Sequence, residues 1–118
     1  MIEDMNSFTM VEFPTTSARE SAEFFGSVFG WAGTPYGPEY TDVDCGGGVS
    51  LGFQQDHSEA PAGPLAVIQV NDLEATRSAV LKAGGTITVE AFDFPGGRRF
   101  HFREPGGNEL AAWAPTGR

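Results

Sequence analysis

Two side chains in this sequence are suited to moving protons, the carboxylate of Glu12 and the imidazole of His101. Glu12 lies in a short apolar run, and His101 lies between Phe100 and Phe102. A histidine titrates near neutral pH, so with a carboxylate it can act as acid and base on a carbonyl compound. Both residues also have a structural interpretation: Glu12 as a solvated residue at a sheet rim, and His101 as a hydrogen-bonded residue among aromatics.

The length and charge of the chain limit the kind of protein it can be. Its 118 residues suit a single domain spanning 1–118, and 16 acidic against 7 basic residues give a formal net charge of −9. This excess argues against nucleic-acid partners and anionic membrane surfaces, which need clustered Lys and Arg. The lone Cys45 excludes an intrachain disulfide. Because no signal-peptide pattern or long apolar run is found, we expect a cytoplasmic protein.

The two halves of the chain repeat one order of elements. Residues 10–13 align with residues 65–68, and this register continues without a gap to Gly30 over Gly85. In both copies an apolar strand, a polar stop and an amphipathic helix are followed by three short strands. The later strands are predicted near 34–36, 40–44 and 49–54, and near 86–92, 98–103 and 109–113. We predict an α+β fold of two βαβββ modules, at about 7–55 and 65–114, with a linker over about 56–64.

The helix ends are predicted from capping signals. Ser17 and Glu20 have the spacing of a capping box, and Asn71 with Glu74 repeats this spacing before the second helix. Gly30 and the pair 84–85 lie where a helix needs a left-handed residue at its C-terminus. Each helix has one apolar face, so each should cover one face of a sheet. We therefore expect two curved sheets around a common cup.

Three stretches of the chain resemble the vicinal oxygen chelate superfamily, the group of glyoxalases, bleomycin-resistance proteins and extradiol dioxygenases. They are residues 11–14 leading to 21–31, residues 70–73 followed by 82–85, and residues 100–108. The resemblance implies the glyoxalase/bleomycin-resistance-like fold and a homodimer, with swapped modules as one form of it. It leaves the activity open, because this superfamily includes lyases, epimerases, dioxygenases and plain binding proteins.

Metal-dependent members of this superfamily hold an open metal site with His, Gln or Glu on the first and last strands of each module. Such a metal polarises a carbonyl or stabilises an enolate. By the resemblance, these positions fall on Met10, Leu65 and Ala111, and near Gly52. None of the four offers a hard oxygen or an imidazole nitrogen, and a one-residue slip would turn the side chains to the other face. We therefore expect no metal ion and no cofactor.

Alternation along the strands predicts what lines the cup instead. Glu12 shares a strand face with Met10, and the resembling motif places His101 toward the cavity. With Glu12 and His101 as candidate catalytic residues, the candidate ligand-binding residues are Met10, Gln54, Leu65, Gln69, Arg99, Glu109, Ala111 and Trp113. Trp31 and Phe53 are expected to add stacking surface for a flat ligand. An apolar lining with a few polar groups is typical of a small-molecule pocket.

Four functions are compatible with these residues. The leading interpretation is a metal-independent protein that binds and sequesters an aromatic or polar metabolite or antibiotic. The second is a metal-free lyase or isomerase that uses Glu12 and His101 as acid and base. The third is a divalent-metal-dependent lyase or dioxygenase with the atypical ligands Glu12, Gln54, His101 and Glu109. The fourth is a domain whose cup is filled by its own side chains.

Overall fold

The computed structural model describes residues 6–116, and it confirms the predicted order of elements. The strands and helices are β1 (Ser7–Pro14), α1 (Ala18–Phe29), β2 (Ala32–Pro35), β3 (Tyr40–Asp44), β4 (Ser50–Gln54), β5 (Leu65–Gln69), α2 (Leu73–Lys82), β6 (Thr86–Phe94), β7 (Gly97–Arg103) and β8 (Glu109–Pro115). The fold is therefore α+β with two βαβββ modules. Neither helix of the described chain is long and apolar enough to cross a membrane.

The chain divides into two compact units, which we call module one (residues 9–65) and module two (residues 6–8 with 66–116). The strands of module one lie in the order β2-β3-β4-β1. β1 runs parallel to β4, with Met10 opposite Ser50 and Glu12 opposite Gly52. The other two pairs are antiparallel. The helix α1 covers one face of this sheet and leaves the face of Glu12 to other contacts.

The core of module one lies between α1 and the sheet. Ala18, Val43 and Phe53 are buried there, and Phe13 and Phe25 pack against them. Phe53 is 4% exposed, and its ring lies 5.6 Å from Phe13 and 5.5 Å from Phe25 between centroids. The expectation that Phe53 stacks on a ligand in the cup is therefore wrong. Its position has the opposite phase to Gly52, so its side chain points toward the helix.

Module two repeats this arrangement with the strand order β5-β8-β7-β6. β5 runs parallel to β8, with Val67 opposite Ala111, and the β8–β7 and β7–β6 pairs are antiparallel. Its core contains Val70, Phe100 and Ala112, against which Leu73 and Val80 of α2 pack. Burying side chains of this size stabilises a fold by about 1.5–3 kcal/mol each.

The residue predicted to cap the N-terminus is confirmed for α1 and is wrong by one position for α2. Ser17 caps α1 by accepting a hydrogen bond from the Glu20 backbone N–H at 3.1 Å. The cap of α2 is Asp72, not Asn71, and its carboxylate accepts from the Ala75 N–H at 3.0 Å. An N-cap must lie directly before the first helical residue with extended backbone, and Asp72 fulfils this with ψ 102°.

Both helices end near a left-handed glycine, as predicted. Gly30 has φ 76° after α1, and Gly84 has φ 97° after α2. A third left-handed segment joins β3 to β4, where Gly46, Gly47 and Gly48 have φ values of 86°, 65° and 82°. These three exposed glycines form the turn that brings β3 back along β4.

Strand β6 is longer and less regular than the sequence predicts. It extends to Phe94, and its pairing with β7 shifts between Ile87 and Val89 and again between Val89 and Phe92. Each shift inserts extra residues opposite the partner strand, which changes the alternation of side chains between the two faces. The face that a β6 residue takes therefore cannot be counted from one end of the strand.

Candidate functional site

The face of module two that points away from α2 carries most of the predicted site residues. Opposite one another in the sheet lie Arg99 and Trp113, His101 and Ala111, and Arg103 and Glu109. Gln69 is opposite Trp113 on the other side of β8. Cross-strand partners share a face, so the structure brings together Gln69, Arg99, His101, Glu109, Ala111 and Trp113. Their roles in binding or catalysis remain predictions.

A chain of polar contacts runs across this face. The Thr88 hydroxyl donates to Glu109 Oε2 at 2.6 Å, and the same oxygen lies 3.8 Å from His101 Nδ1. On the other side of the ring, Arg99 Nε donates to His101 Nε2 at 3.1 Å. Because Nε2 accepts this bond, the neutral imidazole carries its proton on Nδ1, toward Glu109. His101 is thus held between a cation and a carboxylate.

Two aromatic rings lie close to the Arg99 guanidinium. The guanidinium carbon lies 5.9 Å from the Phe92 ring centroid and 5.8 Å from that of Phe94. Phe92 also lies 5.9 Å from the His101 ring, and Phe94 lies 5.9 Å from Trp113. Cations are attracted to ring faces at these distances, which holds the guanidinium in place. Sequence reasoning missed Thr88, Phe92 and Phe94 because β6 changes register twice.

Module one has its own polar face, opposite α1. The register places Met10, Glu12 and Gln54 there, as predicted, together with Tyr40 and Asp42. The Tyr40 hydroxyl is 3.6 Å from the Met10 sulfur. A Cβ added at Gly52 would collide with this hydroxyl. Tyr40 thus occupies the space beside Gly52. A glycine inside a strand can mark such a close approach, and this was the available signal for Tyr40.

Two acidic side chains on this face are removed from solvent to different degrees. Glu12 is 8% exposed. Burial raises the pKa of Asp42 above its usual range; the negative charge of Asp44 adds to this rise, and a hydrogen bond with Ser50 opposes it. The Asp42 carboxyl therefore ionises less readily in the folded protein than in the unfolded chain.

Three of the candidate ligand-binding residues have structural contacts that the sequence did not indicate. Gln54 Oε1 accepts a hydrogen bond from the Asp56 backbone N–H at 3.0 Å, so it supports the turn after β4. Leu65 and Ala111 are buried, with 2% and 0% of their surfaces exposed. These two contribute apolar packing at their positions.

The predicted pair of Glu12 and His101 divides between the modules, Glu12 in module one and His101 in module two. Their cooperation stays a prediction. Within module two, the carboxylate beside His101 is Glu109. Across residues 6–116, no group of three or more His, Cys, Asp or Glu side chains is placed to hold a metal ion. Metal independence likewise stays a prediction.

The fold and the paired modules define a class of protein built from two βαβββ repeats. Residues 7–112 match the family described as the Glyoxalase/Bleomycin resistance protein/Dioxygenase superfamily, and the chain belongs to this family. The resemblance found in the sequence is thereby confirmed. No curated protein matches the chain.

Several solved structures share the fold at low sequence identity. A NAD-dependent benzaldehyde dehydrogenase from Legionella pneumophila is similar with a TM-score of 0.75 and 16% identity, over 95% of this chain and 100% of that one. Methylmalonyl-CoA epimerase from Mycobacterium tuberculosis is similar with a TM-score of 0.71 and 15% identity, over 94% of this chain and 89% of that one. The Mn(II)-bound glyoxalase from Novosphingobium aromaticivorans is similar with a TM-score of 0.66 and 16% identity, over 93% of this chain and 40% of that one. The three names differ in chemistry, so these similarities establish the fold alone.

Proposed function

We propose that this protein binds a small planar molecule with a carboxylate or carbonyl oxygen on the open face of module two, without a metal ion. The observation that carries the proposal is the position of Arg99, which lies within 5.9 Å of the Phe92 and Phe94 ring centroids and is hydrogen-bonded to His101. A guanidinium presents its N–H groups as a planar fork that suits carboxylates. The nearby Trp113 indole supplies a flat apolar surface for a ring.

Metal independence is supported by the residues at the four family ligand positions. Met10, Leu65, Gly52 and Ala111 carry no oxygen or nitrogen donor in their side chains. In addition, the Tyr40 hydroxyl fills the space beside Gly52. A phenol hydroxyl binds divalent metals poorly unless it loses its proton, which at neutral pH is unfavourable because tyrosine titrates near pH ~10.

Metal content is the first measurement for this proposal. Untagged protein is incubated with zinc, manganese, nickel or iron(II), desalted, and analysed for metal by elemental analysis. We expect far less than one metal ion per chain. Retention close to one equivalent would contradict metal independence and favour a metal-dependent lyase or dioxygenase.

Ligand binding is tested with benzoate and its uncharged analogue benzyl alcohol, using calorimetry or NMR titration. Arg99→Gln should weaken benzoate binding by roughly tenfold or more, because a charged hydrogen bond is lost. Arg98→Gln is the matched control, since Arg98 is the neighbouring residue with opposite strand phase and pairs with Asp93 at the surface. Equal benzoate affinity in the Arg99 and Arg98 variants would contradict the proposal.

A second candidate function is metal-free proton transfer, and the contact between Glu109 and His101 favours it. The carboxylate lies 3.8 Å from Nδ1 and would stabilise the charged ring when a substrate proton on Nε2 replaces the hydrogen bond from Arg99. A panel of ketones and thioesters in D₂O, followed by NMR, would report exchange of the hydrogen next to the carbonyl. His101→Gln should lower such exchange by roughly 100-fold or more. If no compound exchanges faster with the protein than in buffer, this function is contradicted.

A further inference from the structure

Module one contains a groove on the side of its sheet that faces α1. The groove has a volume of about 430 Å³ and lies between α1 and the strands β2 and β3. This volume falls within the roughly 300–1,000 Å³ of small-molecule pockets. It lies on the opposite side of the sheet from Glu12 and Tyr40, because the lining residue Thr41 has the opposite phase.

The walls of the groove are small or apolar. Gly33 of β2 approaches α1 so closely that a Cβ there would lie 3.2 Å from Ala22 Cβ. Trp31 stacks on Phe29 with 4.9 Å between centroids, and both Trp31 and Pro35 line the groove. An indole and a proline ring offer flat surfaces, so the shape favours an aromatic ring.

The charges at the groove are already paired. Arg19 and Glu23 line it, and their side chains form an ion pair of 3.1 Å on one face of α1. Both side chains are largely exposed, 76% and 62%. Since each charge has its counter-charge and solvent, the groove does not demand a charged ligand. An uncharged molecule therefore suits it better than an ion.

Thr41 supplies the polar group inside the groove. It is 6% exposed, and within residues 6–116 its hydroxyl makes no hydrogen bond to protein. Its neighbours across the sheet are Pro35 on β2 and Phe53 on β4. A buried hydroxyl without a partner is unfavourable, and most buried polar groups have one. A ligand atom that bonds Thr41 would remove this deficit.

We propose that this groove is a second binding site, for a small uncharged aromatic molecule whose hydroxyl group hydrogen-bonds Thr41. The ring packs against the apolar part of the lining, which includes Trp31 and Pro35, and the hydroxyl bonds Thr41 of β3. All residues that line the groove belong to module one, and none of them is on the open face of module two.

The test uses phenol as the probe and toluene as its analogue without the hydroxyl. Both are titrated into the full chain and followed by residue-resolved NMR. We expect phenol to shift the signals of Thr41, Ala22 and the Trp31 indole, and to bind more tightly than toluene. Thr41→Val should weaken the binding of phenol by roughly threefold to tenfold and leave the binding of toluene unchanged, because only the hydrogen bond is removed.

Thr41→Ser is the matched control, since it keeps the hydroxyl and should keep the preference for phenol. Trp113→Phe should leave the shifts in module one unchanged. The proposal is overturned if phenol shifts only signals of module two or none at all. It is also overturned if phenol and toluene bind the unmodified protein equally, a comparison that does not depend on the folding of any variant.

Discussion

The neighbouring residues Thr41 and Asp42 point to opposite faces of β3, and each is a polar group that folding removes from water. Thr41 is buried on the side of α1, and Asp42 is partly buried on the open face of module one. Neither burial was predicted from the sequence, which indicates only a short strand over 40–44. The consequences of the two burials can be measured separately, because one group is neutral and the other is titratable.

Replacement of Thr41 by valine should stabilise the protein. Valine has nearly the same shape, and the change removes a hydroxyl that makes no protein hydrogen bond within the described residues. We expect the free energy of unfolding to rise by about 0.5–1 kcal/mol, measured by urea denaturation. Thr41→Ser should instead lower it by about 1 kcal/mol, because it deletes a buried methyl group and keeps the hydroxyl. A loss of stability in the valine variant would show that the hydroxyl is satisfied by bound water.

Asp42→Asn should change how stability depends on pH. Burial raises the pKa of Asp42 in the folded state, so the stability that its protonated form provides is present at low pH and is lost as pH rises through this raised pKa. Asparagine does not ionise. The free energy of unfolding of the variant relative to wild type should therefore increase as pH rises above the ordinary pKa of an aspartate, about 4. Denaturation at several pH values measures this difference.

Glu39→Gln is the control for this pH series, since Glu39 is exposed and lies next to the same strand. A difference between Asp42→Asn and wild type that stays constant or falls as pH rises would contradict the prediction. The hydrogen bond with Ser50 opposes the effect of burial, so Ser50→Ala should strengthen the pH dependence in the otherwise unmodified protein.

At the scale of single elements, the start of α2 depends on Asp72. Its carboxylate accepts from the Ala75 N–H, one of the donors that a helix start leaves without a partner. Asp72→Ala should lower the free energy of unfolding by about 1 kcal/mol. Asp72→Asn keeps a capping oxygen and should lose much less. Equal losses in the two variants, measured by thermal or urea denaturation, would contradict the assignment of the cap.

The helices and most strands could be predicted from the sequence because their signals are local. Ser17, Gly30 and the apolar faces of the helices act within a few residues, so spacing alone indicates them. The cap of α2 was misassigned by one residue, although Asp72 lies 55 residues after Ser17 and so follows the repeat. Two polar residues in succession both fit a capping position, and only the backbone distinguishes them.

The residues that share the open face of module two could be predicted where the strands are regular and not where they are irregular. Arg99, His101, Glu109 and Trp113 share a face because β7 and β8 pair without interruption. Phe92 joins them across two register shifts, which depend on the pairing of β6 with β7 and leave no local pattern. Contacts of this kind are set by distant parts of the chain and cannot be counted along it.

For the whole molecule, the repeat gives each module its own helix, its own four-strand order and its own buried cluster. The helix-covered faces of both modules are apolar, whereas the open faces carry different kinds of residue. Module one presents carboxylates and a tyrosine, whereas module two presents Arg99 and His101 among aromatic rings.

The assembly state is a further prediction at this scale, and it derives from the resemblance to the superfamily. We expect a homodimer, with twice the chain mass of 12.6 kDa, in light scattering at micromolar concentration. The same measurement at several concentrations separates a stable dimer from a weak one. A monomer throughout the range would contradict the prediction.

The glycine turn between β3 and β4 has a consequence for chemical synthesis of the protein. Gly46, Gly47 and Gly48 all have positive φ, and a Cβ built on any of them would meet no non-neighbouring atom within 4 Å. Handedness, and not lack of space, is therefore what excludes other natural residues from this turn. Mirror-image amino acids prefer these same dihedral angles. A chain assembled with D-alanine at Gly47 should fold normally. Because D-alanine has fewer conformations than glycine in the unfolded chain, less conformational entropy is lost on folding.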